Sequence, residues 1–213
     1  QYALAHKWIT HDPFIGKKYQ RTYSERQFLT EAELKVIMEL DLKELPRLEI
    51  VRDTFVFCCF TGLAFCDMKA LTYDDIQDDD KGNTWIRKAR AKTGEMCIVP
   101  MLEVPRQLIL KYAEHPVVKE KGVAMPVITN QKMNAYLKEI ADLAKIKKHL
   151  TTHVARHTFA SMSLCNNVSI EVISKMLGHS DIKTTQIYAK MQDQAVYDGM
   201  ATMRSKFNTL QIV

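Results

Sequence analysis

The stretch from Leu150 to Lys190 constrains this chain more than any other. It sets two histidines, an arginine and a tyrosine at short fixed spacings along what reads as three consecutive helices. His153 and Arg156 lie three residues apart in a run whose apolar positions, Val154, Phe159, Met162 and Leu164, suit a helical period. Residues i and i+3 share one helix face, so an imidazole and a guanidinium are presented together. Such a pair suits an oxyanion with several acceptors, because the planar fork of arginine matches phosphate. After Asn166-Asn167, Ser169 is placed to cap a second short helix carrying Ile170, Val172, Ile173 and Leu177, with Gly178 as its stop. His179 follows at once. Ser180 or Asp181 can then cap a third helix, Ile182 to about Met191, which carries Tyr188 nine residues beyond that histidine. Two short helices about a glycine turn also fit a helix-turn-helix that reads DNA with its second helix, but that motif needs neither His153 nor Arg156.

The remainder of the chain reads as a platform for this segment. Its 213 residues, 46% of them hydrophobic, can bury one sizeable core. A net charge of +5 is modest but has the sign expected for a polyanion partner. Five cysteines, Cys58, Cys59, Cys66, Cys97 and Cys165, are odd in number and contain no C-x-x-C pair, which points to buried free thiols in a reducing cytoplasm. No apolar run approaches the roughly 20 residues of a membrane span, and no signal peptide is evident. The chain begins at Gln1 rather than methionine, as a fragment of something longer would.

In chain order, residues 1–25 are polar with scattered aromatics and read as an arm or linker. Thr30 to Glu33 is a capping box opening a helix to about Leu40. A central helix from about Leu48 to Thr61 carries the run Val56 to Phe60 and stops at Gly62, and a third short helix holds Asp67, Met68 and Leu71. Strand patterns follow at Asp75–Gln77, Thr84–Lys88 and Met96–Val99, the last two flanking a turn at Thr93-Gly94. The tip of this hairpin is basic, with Lys88, Arg90 and Lys92 suited to a phosphate backbone. Helices resume at about Arg106–Glu114 and Lys132–Ala144, the second capped by Asn130, and lead to Lys147-Lys148, further candidates for DNA contact. The predicted fold class is therefore mainly α with a small antiparallel β-sheet. Beyond Tyr188, Ala195, Val196, Met200, Met203 and Phe207 recur at near-helical spacing.

HVARHTFAS followed by LGHSDIKTTQIYAK resembles the catalytic core of the tyrosine recombinases, the phage-integrase family, with its H-x-x-R, its histidine after L-G and its tyrosine about nine residues on. The resemblance implies a site-specific DNA recombinase in which Tyr188 is the nucleophile that becomes joined to a 3′ phosphate. It further implies that His153, Arg156 and His179 hold that phosphate. Lys92, seven residues before the valine of V-P, would stand where the family carries the lysine that protonates the departing 5′ oxygen. No metal or cofactor is implied. The expected organisation is an arm at 1–25 from a missing N-terminal DNA-binding domain, a catalytic domain at 26–191, and a tail at 192–213 exchanged between protomers. The expected partners are double-stranded DNA, three further copies in a tetramer on DNA from a protein monomeric when free, and accessory DNA-bending proteins. The expected place is the bacterial cytoplasm, at the nucleoid. A type IB topoisomerase-like nicking and resealing activity would use the same residues.

One position departs from the family pattern. T-G-L-R is expected where this chain has Thr61-Gly62-Leu63-Ala64, so the family's first phosphate-binding arginine is absent while the acidic residue, Asp67, remains. T-G-L-A resembles integrases of Bacteroides-type mobile elements, which lack that arginine. Arg52, an arginine inside an otherwise largely apolar helix, is a candidate substitute. The alternative is an ion pair with Glu49 or Asp53.

Overall fold

A computed structural model describes residues 2–16 and 27–189. In chain order its helices are α1 (Tyr2–Ala5), α2 (Glu31–Met38), α3 (Pro46–Thr61), α4 (Phe65–Lys69), α5 (Glu103–Tyr112), α6 (Pro116–Lys121), α7 (Asn130–Leu143), α8 (Thr152–Cys165), α9 (Ile170–Met176) and α10 (Lys183–Ala189). A 3-10 turn (Tyr73–Asp75) leads from α4 into β1 (Ile76–Asp78), β2 (Thr84–Ala89) and β3 (Met96–Pro100). The boundaries expected at 25/26 and 191/192, and the C-terminal tail, lie outside the described residues.

Helix α3 is the axis of the molecule, and α2, α5, α7 and α8 all pack against it. Its sequence dictates this place. Val51, Phe55, Val56, Phe57, Cys58 and Cys59 are buried around nearly the whole circumference, so the helix beyond its first turn leaves little surface for solvent. Each large apolar side chain so buried contributes about 1.5–3 kcal/mol. Pro46 opens the helix, where a missing N–H costs nothing. Gly62 ends it at φ 67°. A Cβ at Gly62 would sit on the Phe159 ring and 2.8 Å from Leu177, so the position demands glycine both for its left-handed backbone and for the close approach of α8 and α9.

The expected capping box forms: Thr30 and Glu33 exchange side-chain-to-backbone hydrogen bonds at the start of α2. The sheet is antiparallel in the order β1-β2-β3, with Ile86 opposite Val99 and Lys88 opposite Cys97. Ile86, Cys97 and Val99 point into the core, and α9 packs on β3, bringing the hairpin against the C-terminal helices.

Several sequence expectations are corrected. Helix α5 begins at Glu103 rather than near Arg106, because Pro105 falls in the first turn, whose donors have no intrahelical partner anyway. The short α6, opened by Pro116 with His115 as its cap and closed by Gly122, was not expected. Thr129, not Asn130, caps α7. At α10 one of the two expected caps is found: Asp181 accepts the Lys183 amide. No helix among the described residues is long and apolar enough to cross a membrane.

Candidate active site

Two helix C-termini converge on one guanidinium. Arg156, in the second turn of α8, is only 6% exposed. It donates from Nη1 to the Gly62 carbonyl at 2.6 Å and from Nη2 to the Leu177 carbonyl at 2.5 Å. Gly62 and Leu177 are the C-caps of α3 and α9, where carbonyls lack intrahelical donors and the helix dipole is negative. The T-G-L, H-x-x-R and L-G-H segments, far apart in sequence, are thus joined through the planar fork of Arg156.

A second arginine lies alongside. Arg90, just past β2, donates from Nη1 to the Gly178 carbonyl at 3.1 Å, so the two arginines hang from successive carbonyls of the Leu177-Gly178 turn. Gly178 adopts φ 58°, and a Cβ there would lie 2.8 Å from both Arg90 Cδ and Cys97 Sγ. Burial pulls the Arg156 guanidinium below its ordinary pKa, and the neighbouring Arg90 charge pulls it further. Asp67, 1% exposed, accepts the Ala91 amide through Oδ1 at 2.9 Å, while its Oδ2 stands 3.8 Å from Arg90 Nε. These last two buried atoms have no hydrogen-bond partner among the described residues. Two guanidiniums against one carboxylate leave an excess of positive charge, an arrangement that favours an anion with several oxygens.

Tyr188 reaches this cluster from α10. It is 2% exposed, and its hydroxyl shares a 3.0 Å hydrogen bond with His157 Nδ1 on the helix that carries Arg156. The His179 ring is oriented by a 2.7 Å hydrogen bond between Nδ1 and Thr185 Oγ1, and its amide donates to the Ser174 carbonyl. His153 stands exposed one helical turn before Arg156. Lys92 is exposed in the β2–β3 turn, next to Ala91, whose amide is pinned to Asp67.

Other expected residues are placed elsewhere. Arg52 lies ten residues before Gly62 on α3, about 15 Å along the helix. It bonds Asp53 at 2.6 Å and the Leu40 carbonyl at 2.8 Å, with Glu49 at 3.6 Å. The ion-pair alternative describes Arg52, although its side chain is largely buried rather than exposed. Lys88 is held by Asp75 and the Ala70 carbonyl, and Lys148 by Glu33 and the Phe28 carbonyl, so both ammonium groups fasten loops of this chain. Lys147 is exposed. Arg90, read from sequence as a DNA-backbone contact on the hairpin tip, turns inward to the cluster. The available signal was its nearness to Lys92 in a hairpin already tied to the site. His157 carried no separate signal: its partner is 31 residues away.

Residues 27–195 match the phage integrase family, and the chain belongs to that family. Among its relatives, tyrosine recombinase XerD of Staphylococcus aureus is 33% identical over 218 residues, spanning 93% of this chain and 70% of that protein. Tyrosine recombinase XerA of Saccharolobus solfataricus is 32% identical over 132 residues, 62% of this chain and 42% of XerA. The solved lambda integrase tetramer bound to a Holliday junction superposes with a TM-score of 0.67 at 16% identity, over 88% of this chain and 54% of that one. The helical frame with its three-stranded sheet is the tyrosine recombinase catalytic fold.

Proposed function

We propose that this chain is the catalytic part of a site-specific DNA recombinase that cleaves one strand through a 3′-phosphotyrosyl intermediate. The observation that carries the reading is the pair of guanidiniums on the Leu177 and Gly178 carbonyls, with the Tyr188 phenol bonded to His157, the residue that follows Arg156 on α8. Arg156 and Arg90 neutralise the non-bridging oxygens of the scissile phosphate, and His153 on α8 and His179 in the turn between α9 and α10 add donors. Tyr188 attacks phosphorus in line, the P–O5′ bond breaks, and Lys92 on the hairpin protonates the departing oxygen. The released 5′ hydroxyl of a partner strand reverses the step, so the energy of the phosphodiester is conserved. In this account Arg90 takes the place of the arginine that Ala64 lacks, and Arg52 does not.

Strand exchange requires four such sites, as in the tetramer that lambda integrase forms on a Holliday junction. We assign the same assembly to this protein on DNA, within a mobile genetic element in a bacterial cytoplasm. A duplex nicked beside the scissile phosphate tests the reading, since loss of the short 5′ strand traps the intermediate. Covalent adduct with the parent and none with Tyr188→Phe is expected. Adduct without transfer to a second duplex would instead make the protein a nicking and resealing enzyme.

A further inference from the structure

A buried phenol needs a partner for its hydroxyl, and the partner found here is chemically competent for more than packing. His157 follows Arg156 directly on α8, its Nδ1 lies 3.0 Å from the Tyr188 oxygen, and the two rings are tilted with centroids 5.5 Å apart. That distance falls within the 2.6–3.2 Å reach expected of a general base. The oxygen it touches is the atom that must lose a proton to bond phosphorus. Arginine has no acceptor with which to take that proton, and His179 Nδ1 is engaged with Thr185 Oγ1. Because Arg156 and His157 are neighbours on one helix, the group that holds the phosphate and the group that holds the phenol are fixed relative to each other.

We propose that His157 is a further catalytic residue, which holds the Tyr188 hydroxyl and accepts its proton as the phenol attacks. This inference rests on the reading of the site as a DNA-cleaving centre. In the forward step the O–H bond of Tyr188 breaks, a Tyr188 O–P bond forms, and the proton passes to His157 Nδ1. The P–O5′ bond breaks and the leaving oxygen takes a proton from Lys92. When a 5′ hydroxyl attacks the phosphotyrosine, the same imidazolium returns its proton to the departing phenolate.

The test is single-turnover cleavage of the nicked duplex by the parent, His157→Asn and His157→Gln, each at saturating protein. The Asn oxygen stands near the position of Nδ1 and can still receive the phenolic hydrogen bond, but it cannot take the proton. A fall of about 10²-fold or more is expected for Asn, in the range of general-base contributions, with DNA affinity unchanged. Replacing Tyr188 by a fluorinated tyrosine, whose hydroxyl is more acidic, should recover at least ten-fold of the Asn or Gln loss. A purely structural role predicts the same loss with either tyrosine, or full activity in Asn, and either result overturns the proposal. Should both variants fail to fold, nitrogen-15 histidine spectra of the parent and of Tyr188→Phe decide: Nδ1 of His157 must be unprotonated and must shift when the hydroxyl is removed. A protonated Nδ1 would overturn the proposal. If the parent itself forms no adduct, the cleavage reading fails; if the parent cleaves and Asn equals it, only the role of His157 does.

Discussion

Arg90→Ala is the perturbation that separates this site from the family pattern. In the structure Arg90 donates to the Gly178 carbonyl and lies 3.8 Å from the buried Asp67 carboxylate. Two losses should follow, and they are measurable apart. Removing one charged donor from a preorganised phosphate site should slow cleavage by roughly 10²- to 10³-fold, equivalent to about 2.7–4 kcal/mol of barrier. Leaving Asp67 without its cationic neighbour should cost about 1–3 kcal/mol of stability, because among the described residues that carboxylate then keeps the Ala91 amide and the weak Cys66 thiol as donors. Single-turnover cleavage of the nicked duplex at saturating protein isolates the first term, and thermal melting reads the second. A scissile methylphosphonate, which has lost one non-bridging charge, should narrow the gap between parent and variant, since the second cation then has less to neutralise. Ala64→Arg in the Arg90→Ala background should recover part of the rate by restoring the family arginine. Arg90→Ala cleaving saturated duplex at the parent rate would refute the assignment and leave Arg156 as the sole guanidinium on the phosphate.

Three further outcomes follow from the same geometry. Arg52→Ala should leave single-turnover cleavage within about two-fold of the parent while lowering stability by about 1–3 kcal/mol on a denaturant melt, since it removes a donor to Asp53 and the Leu40 carbonyl; a cleavage loss without a stability loss would return Arg52 to the site. Gly62→Ala should both destabilise the fold and impair cleavage, because the added methyl strikes Phe159 and Leu177 and displaces the carbonyl that holds Arg156; a variant with the parent melting point would contradict the close packing. Lys92→Ala should be strongly defective on ordinary DNA and nearly normal on a 5′-bridging phosphorothiolate, whose sulfur leaves without protonation; equal defects on both would make Lys92 a backbone contact.

Local rules made much of this molecule legible. Thr30 and Glu33 announced α2, Gly62 and Gly178 announced two helix ends, and Thr93-Gly94 announced the hairpin, each because the backbone conformation depends on residues within one turn of chain. The spacing from His153 to Tyr188 placed the site because those side chains lie on adjoining short helices. Arg52 and Arg90 could not be sorted in this way. One arginine sits within an apolar helix and the other in a polar hairpin, yet the first pairs with neighbouring carboxylates and the second turns to a carbonyl 88 residues away. Lys88 and Lys148 likewise looked like surface charge until Asp75 and Glu33 were found across the fold. His157 was invisible for the same reason, as its meaning lies in a contact between α8 and α10.

The central claim is that Tyr188 becomes covalently joined to DNA through the phosphate held by Arg156 and Arg90. Peptide mapping of the trapped adduct, made with parent protein and a nicked duplex labelled on either side of the scissile phosphate, tests it most directly. The account predicts a single modified peptide carrying the 3′ phosphate on Tyr188, with a free 5′ hydroxyl on the released strand. Linkage at any other residue, or attachment to the 5′ side, would contradict it.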